Sequence, residues 1–174
     1  YFTAILKGIQ TSCKEQGYEL VYNDPQNNAT TQTSQIEDML SRGIDALVYI
    51  PLDSKGARTI CKECKDAGVH VINVDNVVQK SDYDVVDCVI ASDNEGLGKL
   101  SGEWVAKNYP KGANVLIAHL QTAESCVINV QGFWDGIKEK KGSLDGYKEI
   151  ATVEGGGATD VTFKAVSDAL QAHD

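Results

Sequence analysis

The chain has 174 residues, enough for one large or two small domains, and its 42% hydrophobic content is ordinary for a globular protein. With 25 acidic against 16 basic residues it carries a formal charge of −9, which argues against a nucleic-acid surface. No apolar run approaches the ~18 residues of a bilayer span, and no basic-then-apolar leader is legible.

The chain starts inside a helix. Phe2, Ile5, Leu6, Ile9 and Cys13 share one helical face, Gly17 stops it, and Tyr18 to Tyr22 reads as a strand. A wound sheet needs a strand before that helix, so the chain reads as an excerpt with both ends missing. Asn28-Ala29-Thr30 matches a glycosylation sequon, a motif common by chance.

Gln32 to Ser54 repeats the unit more clearly. Ile36, Met39 and Leu40 recur at helical spacing, and Gly43 supplies a left-handed stop. Ala46 to Ile50 then runs without a polar residue, the pattern of a parallel strand covered on both faces. Pro51-Leu52-Asp53-Ser54 ends it at the carboxyl edge, where wound α/β folds bind ligands. Ala57, Ile60, Cys61 and Cys64 give a third helical face, closed by Gly68 and followed by the strand His70 to Val74. Helix, glycine and strand recurring in this order predict an α/β fold with parallel sheets wound by helices.

A second series begins near Ser92. Ser92-Asp93-Asn94-Glu95 reads as a capping box with Ser92 as the cap. Its helix runs through Leu97, Leu100, Trp104, Val105 and Tyr109, and Asn114 to Ala118 follows as a strand. Val127, Val130, Trp134 and Ile137 mark the next helix, Tyr147 to Val153 a strand, and Phe163, Val166 and Leu170 a last helix. Two lobes are therefore expected, residues 1–91 and residues 92–174, joined around Val89 to Asp93 and both incomplete.

Chemistry-bearing motifs are sparse. There is no GxxxxGK[ST] loop and no GxSxG elbow. Gly155-Gly156-Gly157 lacks the spacing and lysine of a phosphate loop and reads as a flexible turn. Asp75 lacks the upstream glycine fingerprint of a dinucleotide ribose reader. Cys61 and Cys64 form a CxxC pair, but both sulfurs fall on an apolar helix face with no partner motif, so packing thiols are expected. Cys13, Cys88 and Cys126 also sit in apolar patterns, and the odd total of five argues against a disulfide framework. The three histidines are scattered, and His119, at a strand end, is expected to be satisfied or solvated. No cofactor, no metal and no enzymatic activity is expected.

The pieces YFTAILKGI, QTSQIEDMLSRGIDALVYIPLDS, VINVDN, ASDNEGLGKLSGEWVAK and QGF at 131–133 together resemble the ribose-binding type of periplasmic sugar-binding proteins, which serve ABC importers. That resemblance implies a two-lobed type I periplasmic-binding-protein fold that closes on a sugar. It places Tyr1 and Phe2 at the aromatic pair that stacks on the sugar ring. It places Asp75 at the carboxylate that accepts from sugar hydroxyls, with Asn76 beside it where relatives often carry arginine. Ser125 and Asn129 fall at polar cleft positions, Asn129 again replacing a common arginine, and Ser92 joins the ligand-binding set. Gly156 to Ala158 lie where many relatives have a stacking aromatic. Read without the resemblance, Asp75 and Asn76 also fit a turn cap, Ser92 a helix cap and Phe2 a core position.

The function so implied is binding without chemistry: an extracytoplasmic receptor for a sugar or polyol, delivering it to the membrane permease of an ABC importer. The resemblance also implies a monomer with no nucleic-acid partner, periplasmic or lipid-anchored on the outer face of the cytoplasmic membrane. The alternative on the same fold is the effector-sensing domain of a lactose-repressor-type transcription regulator.

Overall fold

A computed structural model describes residues 2–173. They divide into two compact units, one ending at Ile44 and the other beginning at Asp45.

The first unit is helical: α1 (Phe2–Gln16) and α2 (Ala29–Ser41). Asn28, the sequon asparagine, caps α2 by accepting the Thr31 N–H at 2.9 Å. Arg42 ends α2 and Gly43 follows at φ +78, the left-handed stop that the sequence predicts. The strand expected at Tyr18 to Tyr22 does not form. Those residues are exposed, Tyr18 at 71%, and among the described residues this unit holds no strand to pair with them. Alternation alone does not make a strand; a hydrogen-bonded neighbour does.

The second unit opens with β1 (Ala46–Tyr49), α3 (Ala57–Asp66), β2 (His70–Val74), a 3-10 turn at Lys80–Val85 and β3 (Cys88–Ile90). The strands are parallel in the order β1-β2-β3, with Ala46 opposite His70 and Ile72 opposite Cys88. Leu47, Tyr49, Val71 and Asn73 are buried on one face, and Ala57, Ile60, Cys61 and Cys64 form the buried face of α3. The other face is not covered as the apolar run suggests: Val48 and Ile90 are exposed. The apolar residues of β1 therefore obey the period of two rather than double coverage. Arg58 pins the 3-10 turn, with 2.7 and 3.1 Å bonds to the Asp84 carboxylate and a 3.2 Å bond to buried Asp82.

Next come α4 (Asn94–Asn108), β4 (Ala113–His119), α5 (Glu124–Lys141), β5 (Tyr147–Glu154) and α6 (Thr159–Ala172). β4 and β5 pair in parallel, with an irregularity between Val115 and Leu116. The cap of α4 is Asp93, whose carboxylate accepts the Gly96 N–H at 2.9 Å, not Ser92 as expected. Aspartate caps as well as serine does and stands one residue closer to the helix, so the frame moves by one.

α4 and α5 meet through glycines rather than through the large apolar residues. Gly98 and Gly102 lie against the α5 backbone and Gly132 and Gly136 against that of α4, and a Cβ on Gly102 would stand 2.0 Å from the Phe133 carbonyl oxygen. A Cβ on Gly136 would stand 2.2 Å from that of Lys99. The backbones touch, a distance only residues without side chains allow. Leu97, Leu100 and Trp104 are left 50 to 66% exposed. Behind the glycines, Ala106, Ile137 and Tyr147 form a core with Val105, Phe133 and Trp134 around it. The Tyr147 hydroxyl donates to the Tyr109 carbonyl at 2.8 Å.

Candidate functional site

β2 ends at Val74, and the chain turns sharply through residues 75–78. Asp75 adopts φ +65, one of three described non-glycine residues in the left-handed region. Its N–H donates to the Ile90 carbonyl at 2.8 Å, which ties the turn to the end of β3. Its carbonyl accepts the Ser125 hydroxyl at 2.9 Å, and that hydroxyl in turn accepts the Val77 N–H at 3.1 Å. A residue at the start of α5 thus holds the turn after β2.

Two buried asparagines brace the turn from inside. The Asn73 amide donates to the carbonyls of Tyr49 and Asn76, at 3.2 and 2.9 Å, and its oxygen accepts the Val78 N–H at 3.0 Å. Asn76 donates to the Pro51 carbonyl at the end of β1 and accepts the Ser125 N–H at 3.3 Å. Ser54, 1% exposed, donates to the Val77 carbonyl at 2.7 Å and accepts the Glu124 N–H at 3.1 Å. Backbone bonds continue the seam, with the Ser54 N–H donating to the Thr122 carbonyl at 3.1 Å. Buried amides and hydroxyls are tolerated because every one of these has a partner; each bond left open would cost about 1–3 kcal/mol.

The expected site residues therefore fall into groups. Asp75 and Ser125 are brought together at the carboxyl edge of the β1-β2-β3 sheet. Asn76 stands beside them, with its amide on the Pro51 carbonyl and the Ser125 N–H, so it ties the turn to its neighbours and does not cap it. Asn129 lies one turn along α5, half-buried, with its backbone oxygen 2.1 Å from where a Gly98 Cβ would be. Ser92 lines an open cleft of about 390 Å³ with Val77, Tyr83, Val89, Asp93 and Ile128; Asp75 is not among its lining residues. Phe2 is 60% exposed at the start of α1, in the other unit, so it is not core. Tyr1 lies outside the described residues.

Asn73 and Ser54 were not singled out by the sequence reading. The signal for Asn73 was present: one amide between the apolar residues Ile72 and Val74 demands buried partners. Asp53, at the end of β1, accepts the Lys55 N–H at 2.9 Å and serves the turn into α3.

Other candidate chemistry resolves as packing. Cys61 and Cys64 are fully buried; burial, with Cys64 and Asp82 nearby, pushes the Cys61 thiol up to about 12, and burial with Glu63 pushes Cys64 up to about 11. Burial, then Cys61, Asp53 and Cys64, pushes the Tyr49 phenol above its ordinary value. Cys88 is exposed, against expectation, because the short β3 leaves alternate residues open. His119 is half-buried with Nδ1 lacking a hydrogen-bond partner, so it is neither satisfied nor solvated there. Among the described residues no group of three or more His, Cys, Asp or Glu could hold a metal ion, and no helix is long and apolar enough to cross a membrane.

Residues 1–174 match the family model of the periplasmic binding protein domain. The chain belongs to that family. The periplasmic binding protein domain here is similar to the ribose import binding protein of Bacillus subtilis, 32% identical over 115 residues, 66% of this chain and 37% of the relative. It is also 31% identical over 147 residues to the D-ribose/D-allose-binding protein of Pseudomonas aeruginosa, 79% of this chain and 46% of that one. The chain thus spans less than half the length of these relatives, both of them binding proteins.

Solved structures give the same fold, the type I periplasmic-binding-protein arrangement of parallel sheets and helices. The Caulobacter myo-inositol binding protein superposes with a TM-score of 0.82 at 21% identity, covering 99% of this chain and 57% of that one. A Mycobacterium smegmatis protein in complex with β-D-fucofuranose gives 0.76 at 27% identity, covering 98% and 55%.

Proposed function

We infer that this chain is part of an extracytoplasmic solute receptor that binds a sugar or polyol for uptake by an ABC importer. The observation that carries the reading is Asp75: a carboxylate just past the end of a central parallel strand, held in a left-handed turn by bonds to Ile90 and Ser125. The carboxyl edge of a wound sheet is where ligands bind in such folds, and a carboxylate there can accept two hydroxyl hydrogen bonds. Family membership over the whole chain supports the receptor reading over the lactose-repressor-type sensor.

In this reading the lobes meet near Ser92, and Ser125 and Asn129 stand on the second lobe opposite Asp75 and Asn76. Tyr1 and Phe2 enter as ring-stacking residues on the resemblance alone. A neutral amide at Asn129 suits a ligand recognised by hydroxyls, without a charged group to neutralise. The protein acts as a monomer on the outer side of the cytoplasmic membrane, without nucleic acid.

The test is calorimetry of the whole protein against pentoses, hexoses and polyols. Saturable one-to-one heat with at least one of them supports the reading. Heat with none, together with specific binding to operator DNA, would replace it with the regulator.

A further inference from the structure

Asn73 is fully buried and sits in β2 between the apolar residues Ile72 and Val74. Its three hydrogen bonds do two different jobs. The bond to the Tyr49 carbonyl ties β2 to β1, whereas those to the Asn76 carbonyl and the Val78 N–H close residues 73–78 into a ring. Asp75 lies inside that ring at φ +65, with its N–H on Ile90 and its carbonyl on Ser125. The φ of a residue sets the direction in which its Cα–Cβ bond leaves the chain. An extended Asp75 would continue the alternation of β2, and its carboxylate would leave along a different path. Aspartate tolerates the left-handed region better than most residues but does not prefer it, so something must hold it there.

We propose that Asn73 is the positioning residue of the sugar site: by closing the 73–78 ring it keeps Asp75 left-handed and so aims the carboxylate at the ligand. A valine at 73 would keep the apolar pattern of the strand, yet it has no polar atom to bond the Asn76 carbonyl or the Val78 N–H. Two of the three bonds of the amide therefore serve the turn, and the third serves the sheet. This inference rests on the receptor reading above, because only a bound ligand makes the direction of that carboxylate matter.

The experiment uses Asn73→Ala and Asn73→Ser in the whole protein, with Asp75→Ala as the reference. D-ribose, D-xylose and myo-inositol are titrated calorimetrically well below each variant's melting temperature, and Asp75 Cα and Cβ chemical shifts report its backbone conformation. Both Asn73 variants should bind at least about tenfold more weakly, and Asp75 should lose its left-handed shifts. A purely structural Asn73 would lower the melting temperature and leave affinity and shifts unchanged; affinity within about twofold of wild type overturns the proposal. If Asn73→Ala does not fold, Asn73→Ser, which keeps one donor, carries the test. If neither folds, the wild-type Val78 amide decides, since exchange as fast as that of an open turn would show that the ring does not hold. If Asp75→Ala binds like wild type, the receptor site is misplaced, whereas loss in Asp75→Ala with full affinity in the Asn73 variants sinks only the positioning role. If wild type binds none of the three probes, the chemical shifts alone judge Asn73.

Discussion

The Ser125 hydroxyl donates to the Asp75 carbonyl at 2.9 Å and accepts the Val77 N–H at 3.1 Å, so one side chain at the start of α5 satisfies both sides of the turn after β2. That pairing joins two segments 50 residues apart in sequence. It also gives Ser125 a structural duty alongside the ligand-binding role the resemblance implies. Ser125→Ala would leave a partly buried carbonyl and N–H without their partner. It should lower stability by about 1–3 kcal/mol in urea melts, and a loss of less than a few tenths would mean that water replaces the hydroxyl without cost.

Asp75 separates binding from stability. Replacing it should weaken sugar affinity roughly ten- to a hundredfold, the worth of a hydrogen bond to a charged group. Alanine at φ +65 also carries backbone strain of about 1–2 kcal/mol, so Asp75→Ala should both bind poorly and melt earlier. Glycine accepts that φ freely, so Asp75→Gly should lose affinity with its melting temperature kept or raised. Asp53→Ala, which only loosens the turn into α3, should change affinity by less than about twofold. The reverse ranking of Asp53 and Asp75 in calorimetry would move the site to the end of β1.

The contact between α4 and α5 allows a paired test. A methyl at Gly102 would stand 2.0 Å from the Phe133 carbonyl oxygen, and the helices can only separate to admit it. Gly102→Ala should therefore destabilise by about 1–3 kcal/mol or more. Gly8→Ala in α1, where the new methyl meets nothing within 4 Å beyond its chain neighbours and its own helix backbone, should instead stabilise by about 0.5–1 kcal/mol through helix propensity. Equal effects of the two substitutions in thermal melts would refute the glycine contact.

Cys61 and Cys64 should behave as inert core. Burial pushes their thiols up to about 12 and about 11, so little thiolate exists at neutral pH. In native protein both should react with a maleimide far more slowly than exposed Cys88 does. Stoichiometric zinc uptake or rapid oxidation of the CxxC pair would overturn the packing role.

The Arg58–Asp84 pair predicts a pH dependence. Hydrogen bonds from the Arg58 guanidinium hold the Asp84 carboxyl below its ordinary 3.8, so the folded state binds this proton less readily than the unfolded state. Its contribution to stability is complete above pH 3.8 and fades as the pH falls through the lower folded value. Urea melts of wild type and Asp84→Asn should differ at pH 6 and converge in acid. A gap that widened on acidification would contradict the sign.

Much of the architecture was legible because it is written in local chemistry. Helical spacing, a glycine that can turn left-handed and a β-branched run are properties of adjacent residues, so α3, Gly43 and β2 fell where the pattern placed them. The buried thiols followed from the same periodicity. Three things were not legible that way. Tyr18 to Tyr22 has strand composition but no strand among the described residues of its unit to pair with, Ser92 was displaced as the cap by an adjacent aspartate, and the α4–α5 contact runs through glycines that hydrophobic patterns ignore.

By itself the sequence determined the α/β class, most of the helices and strands in their order and a carboxylate just past the strand His70 to Val74, since each depends on neighbours along the chain. It placed a strand at 18–22 that does not form and none at Cys88–Ile90, where β3 lies. Only the tertiary structure decided how that carboxylate is held. Asn73, Ser54, Asn76 and Ser125 become one hydrogen-bonded brace because three segments distant in sequence, around residues 54, 73–78 and 125, converge at this turn. A buried amide states that it needs partners; which partners it finds depends on distances that no local pattern contains.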